Sequence, residues 1–289
     1  MIVIAYLGPA GTNAETAALA YLSWLAQHHS QEAHLCSYPS IARAMRAVVQ
    51  QEATLAVVPI ENSIQGSVAV TLDNLWQLGK LQIQQELVLP IAHALLSRGE
   101  TLAGIKTVYS HPQALAQCQL WLETHLPNAL LVPSNSTTEA LQHLNGPSAA
   151  AIAAPRAAQL YNLPILASSI NDYADNCTRF WVLGTQASTD GTHLSLAFDV
   201  PANRPGSLVN PLQSFAQRQI NLTRIESRPA RRSLGEYLFF VELEGSLQGA
   251  ATQAALTELA AHTQNLKSLV IIGFYPFTST PSAKIHLLC

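Results

Sequence analysis

Asn176-Cys177-Thr178-Arg179-Phe180 sets a hydroxyl beside a guanidinium, immediately before the apolar run Phe180–Leu183. A guanidinium can hold a carboxylate through two parallel hydrogen bonds. The neighbouring hydroxyl can donate to a leaving oxygen. A local acid, Asp172 or Asp175, would serve Arg179 equally well as a partner. A second constellation, Glu61-Asn62-Ser63, follows the apolar stretch ending Val57-Val58-Pro59-Ile60. A carboxylate, an amide and a hydroxyl at a strand end suit the orienting of a hydroxylated ligand, and they suit helix capping as well. Thr12, Ser63, Ser110 and Thr137 or Thr138 each stand between an expected strand and an expected helix. Free N–H groups and the helix dipole make such places anion sites. Capping explains any one of them alone; all of them along one sheet edge favour a shared pocket.

Other chemistries find no support. Gly8–Gly11 lacks the Gly-Lys-Ser/Thr ending of a phosphate loop and the Gly-x-Gly-x-x-Gly spacing. The histidines are scattered, with His111 alone near the expected pocket, and no His-Glu-x-x-His occurs. Cys36, Cys118, Cys177 and Cys289 form no Cys-x-x-Cys pair, so neither a metal nor a cofactor is expected and the thiols read as free. No Gly-x-Ser-x-Gly elbow is present. The net charge is −3 without a basic run, which argues against nucleic acid. The Ala-rich stretch Leu144–Leu160 is broken by Pro147, Pro155 and Arg156, so no membrane span is expected. No basic leader precedes the first apolar run, and a cytosolic protein is the expectation.

The elements that must hold these residues recur as strand, small polar residues, helix. Ile2–Leu7, Ala53–Pro59, Thr107–Tyr109, Leu130–Val132, Ala149–Ala153 and Phe180–Leu183 read as strands. Glu15–Gln27, Val68–Leu78, Pro112–Leu122, a segment from Thr138 to Leu144, and Pro155–Tyr161 read as helices. The pattern predicts a mostly parallel α/β sheet with its ligand at the carboxyl ends of the strands. The 289 residues suggest two or three domains. A boundary is expected at Gly184, followed by a polar linker, 185–192. Residues 193–276 follow a second plan: strand His193–Val200, helix Gly206–Gln219, strands Asn221–Arg228 and Gly235–Glu244, helix Ala251–Gln264, strand Leu266–Tyr275. That order, βαββαβ, is ferredoxin-like. Residues 277–289 read as a tail. Gly206-Ser207-Leu208 opens a helix and Ile225-Glu226-Ser227-Arg228-Pro229 ends a strand; both suit turn chemistry or a ligand's close approach.

Taken in order, Tyr6-Leu7-Gly8-Pro9-x-Gly11-Thr12, Val58-Pro59-Ile60-Glu61-Asn62-Ser63-x-x-Gly66-x-Val68, Ser110-His111-Pro112-Gln113-Ala114-Leu115, Ala150–Ala154, Ile170-x-Asp172, Asn176-x-Thr178-Arg179-Phe180, Pro205-Gly206-x-Leu208 and Ile220–Pro229 span nearly the whole chain. The set resembles prephenate dehydratase of the bacterial type with a regulatory ACT domain. Asn13, Ala14 and Ser207 depart from the family's usual Phe, Ser and Ala. The resemblance implies two α/β lobes like a periplasmic binding protein, with the pocket in the cleft. It implies loss of CO₂ and water from prephenate to give phenylpyruvate, without a cofactor. Thr178 would hydrogen-bond the leaving oxygen and Arg179 would hold a carboxylate. Thr12, Glu61, Asn62, Ser63, Ser110 and Thr137 would orient the substrate, and Phe180 would pack the lobe behind the site. Gly206, Ser207, Leu208, Glu226, Ser227, Arg228 and Pro229 would bind the effector L-phenylalanine between two copies of the domain, in a homodimer or a dimer of dimers. Arogenate as substrate and a turnover-free binding protein are the competing readings. A fused chorismate mutase bundle is not expected within this chain.

Overall fold

The computed structural model describes residues 1–29, 31–186, 191–200, 205–263 and 270–275, the last for their backbone alone. The expected tail, 277–289, and part of the expected linker, 187–190, lie outside the described residues.

A first lobe is built from β1 (Ile2–Leu7), α1 (Asn13–His29), β2 (Ala33–Tyr38), α2 (Ile41–Val49), β3 (Leu55–Asn62), β4 (Gly66–Ser67), α3 (Ala69–Leu78) and β5 (Gln82–Pro90). The chain then crosses to a second lobe of β6 (Ala94–Ser97), β7 (Thr107–Ser110), α4 (Pro112–Ala116), α5 (Gln119–His125), β8 (Leu130–Pro133), β9 (Ala149–Ala153), α6 (Pro155–Tyr161) and β10 (Ile165–Ala167). It returns to the first lobe as β11 (Cys177–Gly184). The sheet orders are β2-β1-β3-β11-β5, with β4 beside β3, and β10-β6-β9-β7-β8. A third sheet follows, from β12 (His193–Asp199), α7 (Val209–Ala216), β13 (Leu222–Pro229), β14 (Tyr237–Glu244), α8 (Ala250–His262) and β15 (Val270–Tyr275), in the order β13-β14-β12-β15. This is the expected βαββαβ arrangement. Among the described residues, no helix is long and apolar enough to cross a membrane.

The sheets are less parallel than expected, because β11 runs antiparallel to both β3 and β5. A strand returning from another lobe need not follow the crossover rule that makes βαβ units parallel. The helix expected from Pro112 to Leu122 is split. The Asp172 carboxylate accepts the Leu120 and Trp121 N–H groups at 3.0 and 3.1 Å, giving α5 its own N-terminal partner. The segment after Thr138 is a 3₁₀ turn, Glu139–His143, rather than an α-helix. Its entry is fixed by Ser136 Oγ, which accepts the Glu139 N–H, while the Glu139 carboxylate accepts from Asn135.

The first lobe's sheet is covered differently on its two faces. Ile4, Tyr6, Val57, Leu89, Phe180 and Val182 pack beneath Ala14, Ala17, Ala18, Tyr21 and Leu25 of α1. On the other face Ala56, Val58, Ile60, Trp181 and Leu183 pack against α2 and α3, and also against Ala197, Leu238 and Phe240 of the third sheet. The third sheet's opposite face packs on its own helices, where Leu194, Leu196, Phe198, Val241 and Leu243 meet Phe215, Ala255, Leu256 and Leu259.

One local irregularity decides which residues share a face. β3 and β11 pair Thr178 with Asn62 and Arg179 with Glu61, but Phe180 with Pro59, so Ile60 is an extra residue on β3. Such a bulge reverses the alternation of side chains beyond it. Without it Asn62 would lie on the face of Ile60 and Val58. With it, Asn62 joins Thr178 on the α1 side and Glu61 joins Arg179 on the other.

Candidate active site

Two short segments cross between the lobes, residues 91–93 and 168–176, and the polar cluster lies where they cross. Asn62 Oδ1 accepts the backbone N–H groups of Ile64 and Gln65 at 3.1 and 3.2 Å. These donors fix the orientation of the Asn62 amide. Its Nδ2 then donates to Asn176 Oδ1 at 2.8 Å, to the Cys177 carbonyl at 3.0 Å and to Thr178 Oγ1 at 3.0 Å. Asn176 Nδ2 donates to Gln117 Oε1 at 3.2 Å, and Gln117 Nε2 returns to Asn62 Oδ1 at 3.4 Å. The three amides close a directed ring, buried within 5% exposure at each residue. His93 Nε2 meets Gln117 Oε1 at 2.8 Å and must donate, since a carbonyl oxygen only accepts. Burial holds the His93 ring below the ordinary imidazole range, with the Gln117 hydrogen bond opposing.

The ring determines what Thr178 can do. Its oxygen accepts from Asn62, and among the described residues nothing accepts its proton. The hydroxyl is therefore set to donate, from a residue that is 9% exposed.

The expected residues do not all gather here. Ser63 lies at the edge of the ring: its Oγ accepts from the Cys177 N–H at 3.0 Å and donates to Asn176 Oδ1 at 3.4 Å. Ser110 is fully buried and donates to the Ile152 carbonyl at 2.7 Å, which ties β7 to β9. Thr12 starts α1, its Oγ1 accepting the Glu15 N–H at 3.3 Å. Thr137 is half-buried in the loop before the 3₁₀ turn. Phe180, expected behind the site, is 2% exposed in the core under α1 and has no ring surface left for a ligand.

Arg179, expected to grip a substrate carboxylate, points to the face covered by the third sheet. Nη1 pairs with Glu61 at 2.6 Å, and Nη2 with Glu86 and Glu242 at 2.6 Å each. Glu61 lies on the same side, engaged by Arg179 and approached by Arg224. Neither Asp172 nor Asp175 is the partner.

Gln117, His93 and Asn176 complete the cluster without having been singled out as site residues. Gln117 was hidden by the reading of one continuous helix, since it stands at the break between α4 and α5. Asn176 opens the quoted motif, but nothing in the sequence brings it to Asn62. We expect Gln117→Leu to leave Asn176 Nδ2 and His93 Nε2 buried without their acceptor, at a cost of about 1–3 kcal/mol. Denaturant unfolding measures this, and turnover should fall as well because the ring that aims Thr178 is cut.

The lobes touch at the far rim of the cleft. Arg156, opening α6, donates from Nε to Glu15 Oε2 of α1 at 2.7 Å, and the same oxygen accepts the Gly11 N–H at 2.9 Å. Gly11 has φ +87°, and a Cβ there would stand 3.1 Å from Thr138 Cγ2 and 3.3 Å from the Tyr161 ring. Glycine thus allows both the backbone turn and the close approach of the lobes. A separate cavity of about 330 Å³ lies among Leu115, Leu122, Leu126 and Leu131 on the second lobe and includes none of the ring.

In the third sheet, the expected effector residues separate by parity. Glu226 accepts from Ser67 Oγ at 2.7 Å and Arg228 holds Asp73 with contacts of 3.0 and 3.1 Å, both turned toward the first lobe. Ser227 and Pro229 are exposed on the edge strand β13. The turn Gly206–Leu208 precedes α7 at the same end of the sheet, with Gly206 at φ +85°.

Comparison with known proteins agrees with this architecture. The prephenate dehydratase family model matches residues 4–188, and the ACT domain model matches residues 195–261. The prephenate dehydratase of Lactococcus lactis subsp. cremoris is 36% identical over 92% of this chain and 95% of its own length. The bifunctional chorismate mutase/prephenate dehydratase of Aquifex aeolicus is 38% identical over 95% of this chain and 74% of its own. The crystal structure of the Arthrobacter aurescens prephenate dehydratase in complex with L-Phe superposes with a TM-score of 0.84 at 33% identity, covering 95% of this chain and 90% of that one. On the family match over residues 4–188, the ACT match over residues 195–261 and relatives of this identity and coverage, the chain belongs to the prephenate dehydratase family and carries an ACT domain.

Proposed function

We propose that this chain is a cytosolic enzyme that converts prephenate to phenylpyruvate and that L-phenylalanine regulates it through the ACT domain. The observation that carries the reading is the Thr178 hydroxyl, held by Asn62 as an acceptor and left with its proton free at the base of the cleft. In the reaction the bond from the ring to its carboxylate breaks and CO₂ departs. The electron pair enters the ring, which becomes aromatic, and the ring hydroxyl leaves with a proton as water. An alcohol is a very weak acid. Thr178 therefore donates a hydrogen bond to the departing oxygen as charge develops on it, and solvent supplies the net proton. Aromatisation drives the step, so the residues need only orient the substrate and stabilise that charge. Arg156, paired with Glu15 where the lobes touch, is a cation that would offer a carboxylate a partner once lobe opening freed it. The exposed edge of β13, with Ser227, Pro229 and the Gly206–Leu208 turn, is the place for phenylalanine between two copies, in a homodimer or homotetramer.

The test is turnover of purified protein on prephenate and on arogenate, each with and without L-phenylalanine. Formation of phenylpyruvate that responds to phenylalanine is the expected result. Turnover of arogenate alone would change the substrate, and turnover of neither would leave a binding protein on this fold.

A further inference from the structure

The strand ends that carry the chemistry also carry the contact with the regulatory domain, on opposite faces of one sheet. Thr178 and Asn62 face the cleft, while their chain neighbours Arg179 and Glu61 face the ACT sheet. There the Arg179 guanidinium joins Glu61 of β3, Glu86 of β5 and Glu242 of β14, all at 2.6 Å. Arg224 of β13 pairs with Glu242 at 2.9 Å and approaches Glu61 at 3.7 Å. Two guanidiniums thus serve three carboxylates, drawn from both domains. Burial pushes the Glu86 carboxyl up, with Arg179 opposing. Burial also acts against ionised Glu242, but Arg179 and Arg224 outweigh it and hold its carboxyl below the usual range. Trp181 adds a donor to Glu86 at 3.0 Å.

Buried ion clusters contribute little net stability, yet losing one partner is costly because the others stay buried. Such a cluster tolerates few arrangements. A displacement of β14 against β11 must either carry the Arg179 side chain with it or break its contact. β13 is tied to the first lobe on the same side, through Glu226 to Ser67 and Arg228 to Asp73. Those two residues alternate along β13 with Ser227 and Pro229, which face the expected effector site.

We propose that Arg179 is a positioning residue rather than a substrate ligand, and that Glu242 transmits the state of the regulatory domain through it to Thr178 and Asn62. An effector that shifts β13 and β14 then changes the pull on Arg179. One backbone bond away, the Thr178 hydroxyl moves relative to Asn62. The effector part of this proposal rests on the phenylalanine reading above; the positioning part does not.

The experiment has two arms on the full chain. In the first, Glu242→Gln keeps the shape of the side chain, and Glu61 and Glu86 still hold Arg179, so basal turnover of prephenate should stay within about twofold. The response to L-phenylalanine, about 5- to 150-fold for ordinary coupling, should fall below about twofold while calorimetry still shows phenylalanine binding. A full response in that variant would overturn the transmission route. In the second arm, Arg179→Lys keeps the charge but cannot reach three carboxylates at once. We expect kcat to drop on the order of tenfold to a hundredfold with KM nearly unchanged, the mark of misplaced groups that do not touch substrate. A raised KM with unaltered kcat would return Arg179 to the role of carboxylate ligand. Should wild type ignore phenylalanine, the regulatory reading fails and this second arm still decides the positioning role. If Arg179→Lys does not fold by circular dichroism, Glu61→Gln removes one contact more gently and must show the same split.

Discussion

Thr178→Ala is expected to lower kcat about a hundredfold to a thousandfold, as removal of a single transition-state hydrogen-bond donor does in other enzymes. Its folding should hardly change. Asn62 Nδ2 loses one acceptor but keeps Asn176 Oδ1 and the Cys177 carbonyl, so no buried donor is left unpaired. Thr178→Ser restores the hydroxyl and should recover most of the rate, whereas Thr178→Val, equal in volume, should behave like Ala. Steady-state rates beside thermal melts separate the cases. Near-normal turnover in Thr178→Ala would remove this hydroxyl from the chemistry.

Phe180→Ala should do the opposite. The ring is 2% exposed and packs among Ile4, Tyr6, Val57, Val182 and α1. Its deletion leaves a cavity in a core that cannot collapse around it, at a cost of about 3–5 kcal/mol. Equilibrium urea unfolding should register that loss. The folded fraction should keep a normal KM, because the ring has no surface in the cleft. A KM increase without a loss of stability would place Phe180 against the substrate after all.

The two variants mark how much could be read from the chain. Thr178, Asn62 and Ser63 could be singled out because the order and spacing of their motifs resemble the family's; taken alone, each suits capping as well. The ACT portion was legible from the order of its expected strands and helices, which is ferredoxin-like. β5 was not, since Gln82-Ile83-Gln84-Gln85-Glu86 reads as polar, yet Gln85 and Glu86 are buried at 3% and 1%. Glu86 is inside because Arg179 and Trp181 meet it there. The partners of Arg179 were not legible either. Its face follows from the alternation of β11, but its partners depend on one extra residue at Ile60, which turns Glu61 to the same side, and on a domain that begins after Gly184. Gln117 depends on a helix break imposed by Asp172 from another segment. Local pattern carries no record of such long-range partners.

The sheet packing has a consequence for how regulation can be lost. The ACT domain does not hang from the enzyme as a bead on a string. Its sheet forms the wall over Trp181, Leu183 and Ile60, and Glu242 neutralises a cation buried beneath that wall. Excising the domain would strip an apolar face and remove one of the three carboxylates around Arg179. If phenylalanine acts through this domain as proposed, a well-folded variant freed from its control is to be sought among point substitutions that quieten the wall, not among truncations that remove it.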